Sequence, residues 1–323
     1  MPVTTTPPTP NNFNLTRLSE MILPESISNQ VQLIIQSSRR TQRLPGHIML
    51  DGIAGGGKTT LANIIGNELG IEMIQCGIST DYTQLLVKLF NEYRPKKNVI
   101  PRRIYFIDEA HALPKAVYEM LLTVLENNTI ALSKNGVNRN FDLPPSTWII
   151  ATTNPEQIGT PFKNRFRHHI TFYPYDQPNM EQIATRNLKK FNLTLDQPSI
   201  SMLAKISRQT PRTLNGIILN LIDYTSLINT TVITTTIFND FMRYIGIDQY
   251  GLSERDRLVI RALGEGLNLN ALPLRTLATN TGIDEQTLKE TVEPYLVRTG
   301  VILITTRGRT LTQYGSELYK ELS

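Results

Sequence analysis

Lys58, Thr59, Asp108 and Glu109 have the types and spacing to act on a nucleoside triphosphate. Lys58 and Thr59 close the stretch Gly52 to Thr59, which reads G-x-x-x-x-G-K-T, and Asp108 and Glu109 close the apolar run Ile104 to Ile107. A lysine ending a glycine-rich loop can reach the β- and γ-phosphates, and the adjacent hydroxyl can ligate Mg²⁺. Gly55, Gly56 and Gly57 let backbone N–H groups wrap an anion at a helix start, and Thr60 lies in the first turn of that helix. Asp108 can hold the Mg²⁺ shell, and Glu109 is placed to polarise an attacking water. The expected chemistry is phosphoryl transfer to water. ATP and Mg²⁺ are the expected cofactors, with Gly52, Gly55, Gly56, Gly57, Lys58, Thr59, Thr60 and Asp108 as binding residues and Thr59 and Asp108 as metal ligands.

Four further residues fit this chemistry. The run Trp148 to Ala151 ends in Thr152, Thr153 and Asn154. A polar side chain there can hydrogen-bond the γ-phosphate or the lytic water, and Thr153 and Asn154 are equal candidates. Arg165, beside Phe166, could stabilise phosphoryl charge in a neighbouring subunit's site. Arg212 sits near the start of a helix opened by Pro211, where it could point back at the nucleotide. His168 and His169 have no third ligand nearby and are expected to be structural or surface groups.

The elements that must position these groups are legible in the apolar pattern. Ile48 to Leu50, Ile104 to Ile107 and Trp148 to Ala151 read as buried parallel strands. Leu61, Ile64, Ile65 and Leu69 give the helix after the glycine loop its apolar face, and Leu214, Ile217, Ile218 and Leu221 do so after Pro211. Near the C-terminus a helix, a turn at Thr281-Gly282, and a second helix capped by Asp284 precede a two-stranded wing. Val301 to Ile304 forms one strand of that wing, and Arg307, Gly308 and Arg309 are expected at its tip, where two arginines suit DNA phosphate or minor-groove contact. The expected fold is an α/β P-loop ATPase domain with a helical lid and a C-terminal winged-helix domain. The expected boundaries are a disordered tail over 1–19, the ATPase domain over 20–175, the lid over 176–248 and the winged helix over 249–323.

Composition narrows the partners. The net charge is +5 with a pI near 9.2, compatible with nucleic acid. Residues 1–176 carry 17 basic against 14 acidic side chains, residues 177–248 carry 7 against 5, and residues 249–323 carry 9 of each. DNA contact is therefore expected to be local. No apolar run is long enough for a membrane-spanning helix, and the uncharged start lacks the pattern of a signal peptide. One cysteine, Cys76, allows no internal disulfide and fits a reducing cytoplasmic setting.

Taken in order, these motifs resemble the AAA+ ATPases, with Arg165 matching an arginine finger and Arg212 a sensor-2 arginine. The letters "DEAH" at 108–111 do not indicate a DEAH-box helicase, because the residues after Arg165 read as a lid and a winged domain where a second RecA-like domain would be needed. The stretches "IDEAHALPKAVYEMLLTVLEN", "FDLPPSTWIIATTNPEQIGTPFKNRF", "TPRTLN" and "TTRGRT" resemble the RuvB family, from about residue 44 to the C-terminus. That resemblance implies an ATP-driven homo-hexameric ring that moves double-stranded DNA and branch-migrates four-way (Holliday) junctions in recombination and repair. It also implies a RuvA-like junction-binding partner, docked on a β-hairpin at residues 129–142. Asn135-Gly136 independently supports the hairpin turn, and Ile130, Leu132 and Val137 are candidate contacts. Three departures mark a divergent member. Ile53-Ala54 stands where Pro-Pro is usual, Asn154 replaces an arginine, and "LSEMILPESISNQ" replaces the usual adenine-holding segment. Two alternatives remain at this stage: a clamp-loader-like ATPase of replication, and a DNA-binding regulator using ATP as an assembly switch.

Overall fold

A computed structural model describes residues 13–77, 102–134, 137–143, 145–266 and 271–322. The chain divides into two compact units, Met1–Asn187 with Gln209–Leu219, and Leu188–Arg208 with Asn220–Ser323.

The first unit is built on a five-stranded parallel sheet. Its strands are β1 (Ile48–Gly52), β2 (Glu72–Cys76), β3 (Arg103–Ile107), β6 (Ser146–Thr152) and β7 (His168–Phe172), in the order β2-β3-β6-β1-β7. A parallel sheet must be covered on both faces, which explains the nearly unbroken apolar runs. Every residue of β6 is buried. On β1, Ile48 and Leu50 face one core and Met49 the other, the two-residue alternation of a pleated strand.

Helix α1 (Glu25–Thr41) buries Ile27, Val31, Ile34 and Ile35, and α2 (Lys58–Leu69) buries Leu61, Ile64 and Ile65. Most of these pack against β1, β3 and β6 in one cluster. On the opposite face, α3 (Lys115–Asn127) buries Val117, Met120, Leu121, Val124 and Leu125 against Trp148 and Tyr105. Each fully buried Leu or Ile side chain contributes about 1.5–3 kcal/mol. These two layers fix the strand ends that carry the functional side chains.

Between α3 and β6 runs an antiparallel pair, β4 (Thr129–Lys134) and β5 (Val137–Asp142), in register from Thr129↔Asp142 to Lys134↔Val137. The backbone of the expected hairpin is therefore present. Asn135 and Gly136, and the side chains of Ile130, Leu132 and Val137, lie outside the described residues.

The start of the chain differs from expectation. Residues 1–12 lie outside the described residues, but residues 13–19, assigned to a disordered tail, make contacts with the fold, with Leu15 and Leu18 half-buried. Phe13 is buried, Leu18–Glu20 forms a short 3₁₀ turn, and the Leu18 amide donates to the Glu68 carboxylate of α2 at 3.0 Å. The signal missed was the isolated aromatic within an otherwise polar stretch.

After helix α4 (Gln177–Lys190), the second unit contains the short parallel pair β8 (Thr194–Leu195) and β9 (Val232–Ile233) and helices α5 (Gln197–Ile206), α7 (Thr235–Tyr244), α8 (Glu254–Glu265), α9 (Leu274–Thr281) and α11 (Gln313–Leu322). Asp284 caps the segment after α9 by accepting from the Thr287 amide at 2.8 Å, as expected. That segment continues through a π-helical turn, Leu288–Val292, into α10 (Glu293–Arg298). Leu288, Val292, Tyr295 and Leu296 are all buried in the winged-helix core. The wing is β10 (Ile302–Thr305) paired antiparallel with β11 (Gly308–Leu311).

Arg208 anchors this unit. Its guanidinium donates to the Asp256 carboxylate, which is fully buried, and to Ser253 Oγ at 3.2 Å. It also lies 4.4 Å from the centroid of the Tyr295 ring. Asp256 simultaneously closes the capping box of α8 with Ser253. Among the described residues, no helix is long and apolar enough to cross a membrane.

Candidate nucleotide site

The glycine loop joins β1 to α2, and a cavity of about 370 Å³ opens above it. Ala54, Gly55, Gly57, Lys58, Thr59 and Thr60 line it from the loop and the first turn of α2. Asp108 and Glu109 line it from the end of β3, and Arg212 from α6 (Pro211–Leu227). Gly55 adopts φ +72°, and a Cβ there would stand 2.7 Å from the Arg212 Cβ, so only glycine fits both the turn and the neighbour.

Lys58 Nζ donates to the carbonyls of Gly52 at 2.9 Å and Ile53 at 2.8 Å. Burial lowers its pKa from the ordinary lysine value, and Arg212 adds to that, while Glu109, Asp108 and Asp51 oppose it. A desolvated ammonium beside a glycine loop at a helix N-terminus is suited to phosphate oxygens. Thr59 Oγ1 donates to Asp108 Oδ2 at 2.8 Å, and Asp108 Oδ1 accepts the Glu109 amide at 3.0 Å. These two hard oxygen donors fit Mg²⁺, which binds through one or two protein ligands together with phosphate and water. Among the described residues no group of three or more His, Cys, Asp or Glu forms an all-protein cage.

The structure separates the two candidates at the end of β6. Thr153 donates to Glu109 Oε2 twice, from its amide at 3.2 Å and its hydroxyl at 2.9 Å. Asn154 instead turns its side chain to the His111 ring, 3.3 Å from Nε2. Arg165 is absent from the cavity lining. It pairs with Glu126 of α3 at 2.9 Å and is partly exposed. His169 Nε2 contacts the Phe166 carbonyl at 2.9 Å, a structural role as expected.

The wing corrects one expectation. Arg309 Nε and Nη2 bind Glu293 Oε1 and Oε2 at 2.6 and 3.0 Å, and Glu293 is buried. Gly308 adopts φ +140° with its Cβ position 2.3 Å from the Leu272 carbonyl oxygen, and Arg309 exchanges backbone hydrogen bonds with Leu272. Both belong to β11 and brace the domain, which leaves Arg307 as the exposed arginine of the turn. Sequence alone could not reveal that a buried carboxylate lies beneath the second arginine.

Several site residues escaped the sequence reading. Phe13, Asn215, Gly216 and Leu219 line the cavity beside Pro211. Tyr175, buried, donates to the Gly56 carbonyl at 3.1 Å and props the glycine loop from behind. Burial pushes its pKa up to about 12, with Arg186 opposing. The folded chain therefore keeps a proton that the unfolded chain loses above pH 10, so stability present below pH 10 declines as pH rises toward 12. Two pKa units correspond to about 3 kcal/mol. Tyr175→Phe should flatten that decline, read as denaturation midpoints between pH 9 and 11; parallel pH curves for the two proteins would refute it.

A glycine loop after a parallel strand, an acidic strand end and an arginine at the start of a later helix define a P-loop ATPase of the AAA+ class. Residues 14–172 match the Holliday junction DNA helicase RuvB P-loop domain, and residues 249–320 match the RuvB C-terminal winged helix domain. The chain belongs to the RuvB family. It is 33% identical over 93% of its length to the Holliday junction branch migration complex subunit RuvB of Acholeplasma laidlawii, covering 89% of that protein. It is 31% identical to the subunit of the same name from Kosmotoga olearia, over 92% of this chain and 86% of that one. Among solved structures, the Thermotoga maritima RuvB Holliday junction branch migration motor superposes with a TM-score of 0.81 at 27% identity, covering 96% of this chain and 98% of that one.

Proposed function

We propose that this chain is the motor subunit of a branch-migration machine, hydrolysing ATP to draw duplex DNA through a homo-hexameric ring at a four-way junction. The observation that carries this reading is the division of the hydrolytic groups. Glu109 is held by Thr153 in its own chain's cavity, whereas Arg165 stands outside that cavity with its guanidinium partly exposed. Lys58 and Arg212 line the cavity, so a further cation for the transferring phosphoryl group would come from a neighbouring subunit, and a closed ring would complete every site alike.

In this reading Lys58 leaves the Gly52 and Ile53 carbonyls for the phosphates, and Arg212 closes over them from α6. Thr59 and Asp108 would hold Mg²⁺, which when bound would neutralise phosphate charge. Glu109 orients and deprotonates the lytic water. Phe13, Pro211 and Leu219 supply apolar walls for the base, taking the role of the departing N-terminal segment. Arg307 contacts DNA from the wing, and the β4-β5 hairpin docks a RuvA-like junction-binding protein. The domain boundaries follow the same reading, with the lid from 176 to 248 and the winged helix from 249, in a chain acting in the cytoplasm.

The purified protein, with a junction-binding partner supplied, should disassemble a synthetic four-way junction only with ATP, and Glu109→Gln should abolish this. ATP turnover without junction movement, stimulated instead by a sliding clamp and primer-template, would favour a clamp-loader-like ATPase.

A further inference from the structure

Glu109 follows β3 in an unusual backbone state. Its φ of +49° and ψ of +48° lie in the left-handed region that favours glycine, and its side chain is 43% exposed. A flexible, half-exposed carboxylate at such a turn needs an external hold if one oxygen is to face a water consistently. Thr153 supplies two donors, both to Oε2. A third group approaches the same oxygen: His111 Nδ1 lies 3.3 Å from Glu109 Oε2 and 3.0 Å from Thr152 Oγ1.

The other face of the imidazole favours one of its two tautomers. Asn154 Nδ2 stands 3.3 Å from His111 Nε2. With the Asn154 NH₂ donating, Nε2 accepts and a neutral ring carries its proton on Nδ1. That N–H is directed at Thr152 Oγ1, with Glu109 Oε2 beside it at 3.3 Å from Nδ1. The Asn154 backbone amide also donates to Thr152 Oγ1, at 3.1 Å, tying the chain after β6 to the same cluster. Glu109 Oε2 is thereby surrounded from β6 and from the 3₁₀ turn Ala110–Ala112, and Oε1 is the oxygen left to receive a proton.

We propose that His111 is a positioning residue for Glu109 and that Asn154 acts through it, by fixing the imidazole tautomer that turns Nδ1–H to Thr152 Oγ1 and the carboxylate oxygen beside it. The proposal rests on Glu109 serving as the hydrolytic base. It gives Asn154 a role without contact to phosphate or water, and makes the strand end that carries Thr153 report to the base through two routes.

The test is steady-state ATP hydrolysis by the full chain with duplex DNA, in variants whose thermal unfolding matches the parent. His111→Leu should lower kcat by roughly 10–100-fold while KM for ATP stays unchanged, the magnitude common for groups that orient a reacting residue. His111→Asn, whose amide stands near the lost Nδ1, should restore most of the rate. Asn154→Leu should lower kcat in the parent and have no further effect beside His111→Asn, because its partner nitrogen is gone.

Equal effects of Asn154→Leu in both backgrounds, or parallel changes in kcat and KM for His111→Leu, would overturn the proposal. If His111→Leu does not fold, the comparison of Asn154→Leu with and without His111→Asn decides alone. Glu109→Gln measured alongside separates the two readings. Full turnover in that variant removes the base itself, whereas an inactive Glu109→Gln beside a fully active His111→Leu removes only the positioning role.

Discussion

Arg165→Ala is expected to bind ATP as the parent does and to lose roughly 10³–10⁵-fold in turnover, the range found when an arginine finger is removed. The expectation follows from placement. Arg165 contributes nothing to the cavity lined by Lys58, Thr59 and Glu109, so its loss leaves nucleotide contacts within the chain untouched. Its partner Glu126 is half exposed, and an ion pair at that exposure contributes about 0–1 kcal/mol, so the fold should not suffer. Mixing the variant with parent subunits gives a sharper readout. If each site borrows its arginine from a neighbour, activity should fall faster than the fraction of parent chains. A strictly proportional fall, or near-normal turnover by the pure variant, would place the arginine's work elsewhere.

Glu109→Gln should produce the second-largest loss, about 10²–10⁴-fold in kcat, which is the usual contribution of a positioned general base. Glutamine keeps the shape and can still accept from the Thr153 amide and hydroxyl, so the local structure should persist. What disappears is the charge that draws a proton from water. ATP should therefore remain bound and uncleaved, measurable as nucleotide retained on the protein after rapid gel filtration. Recovery of ADP at the parent's rate would show that another group activates the water.

The nucleotide site was largely legible in the sequence because its parts are contiguous. A glycine loop, its lysine and threonine, and two acids at a strand end lie in short runs whose apolar flanks announce the strands. The residues that escaped come from distance and irregularity. Tyr175 reaches Gly56 across 119 positions, and Phe13 sits alone in a polar stretch with no periodicity to mark it. His111 was obscured differently, since its neighbours spelled a familiar motif and its ring contacts lie at the end of another strand. Arg309 was misplaced because an Arg-Gly-Arg turn looks the same whether or not Glu293 waits beneath one of its arginines. Spacing along the chain locates backbone groups well; it says little about which long side chains are already engaged.

The Arg208 anchor bears on how separable the chain's parts are. A protein read as three motifs in series invites division at residue 248, with the winged helix removed as a self-standing cassette. Asp256, Ser253 and Tyr295 all lie beyond that cut, while the guanidinium they receive lies before it. Severing there would leave a buried carboxylate without its cation on one fragment and a bare arginine on the other, and breaking such a buried pair costs about 3–5 kcal/mol. The C-terminal piece is thus better regarded as sharing a keystone with the segment that precedes it. Swapping it between relatives should succeed only when position 208 travels with it.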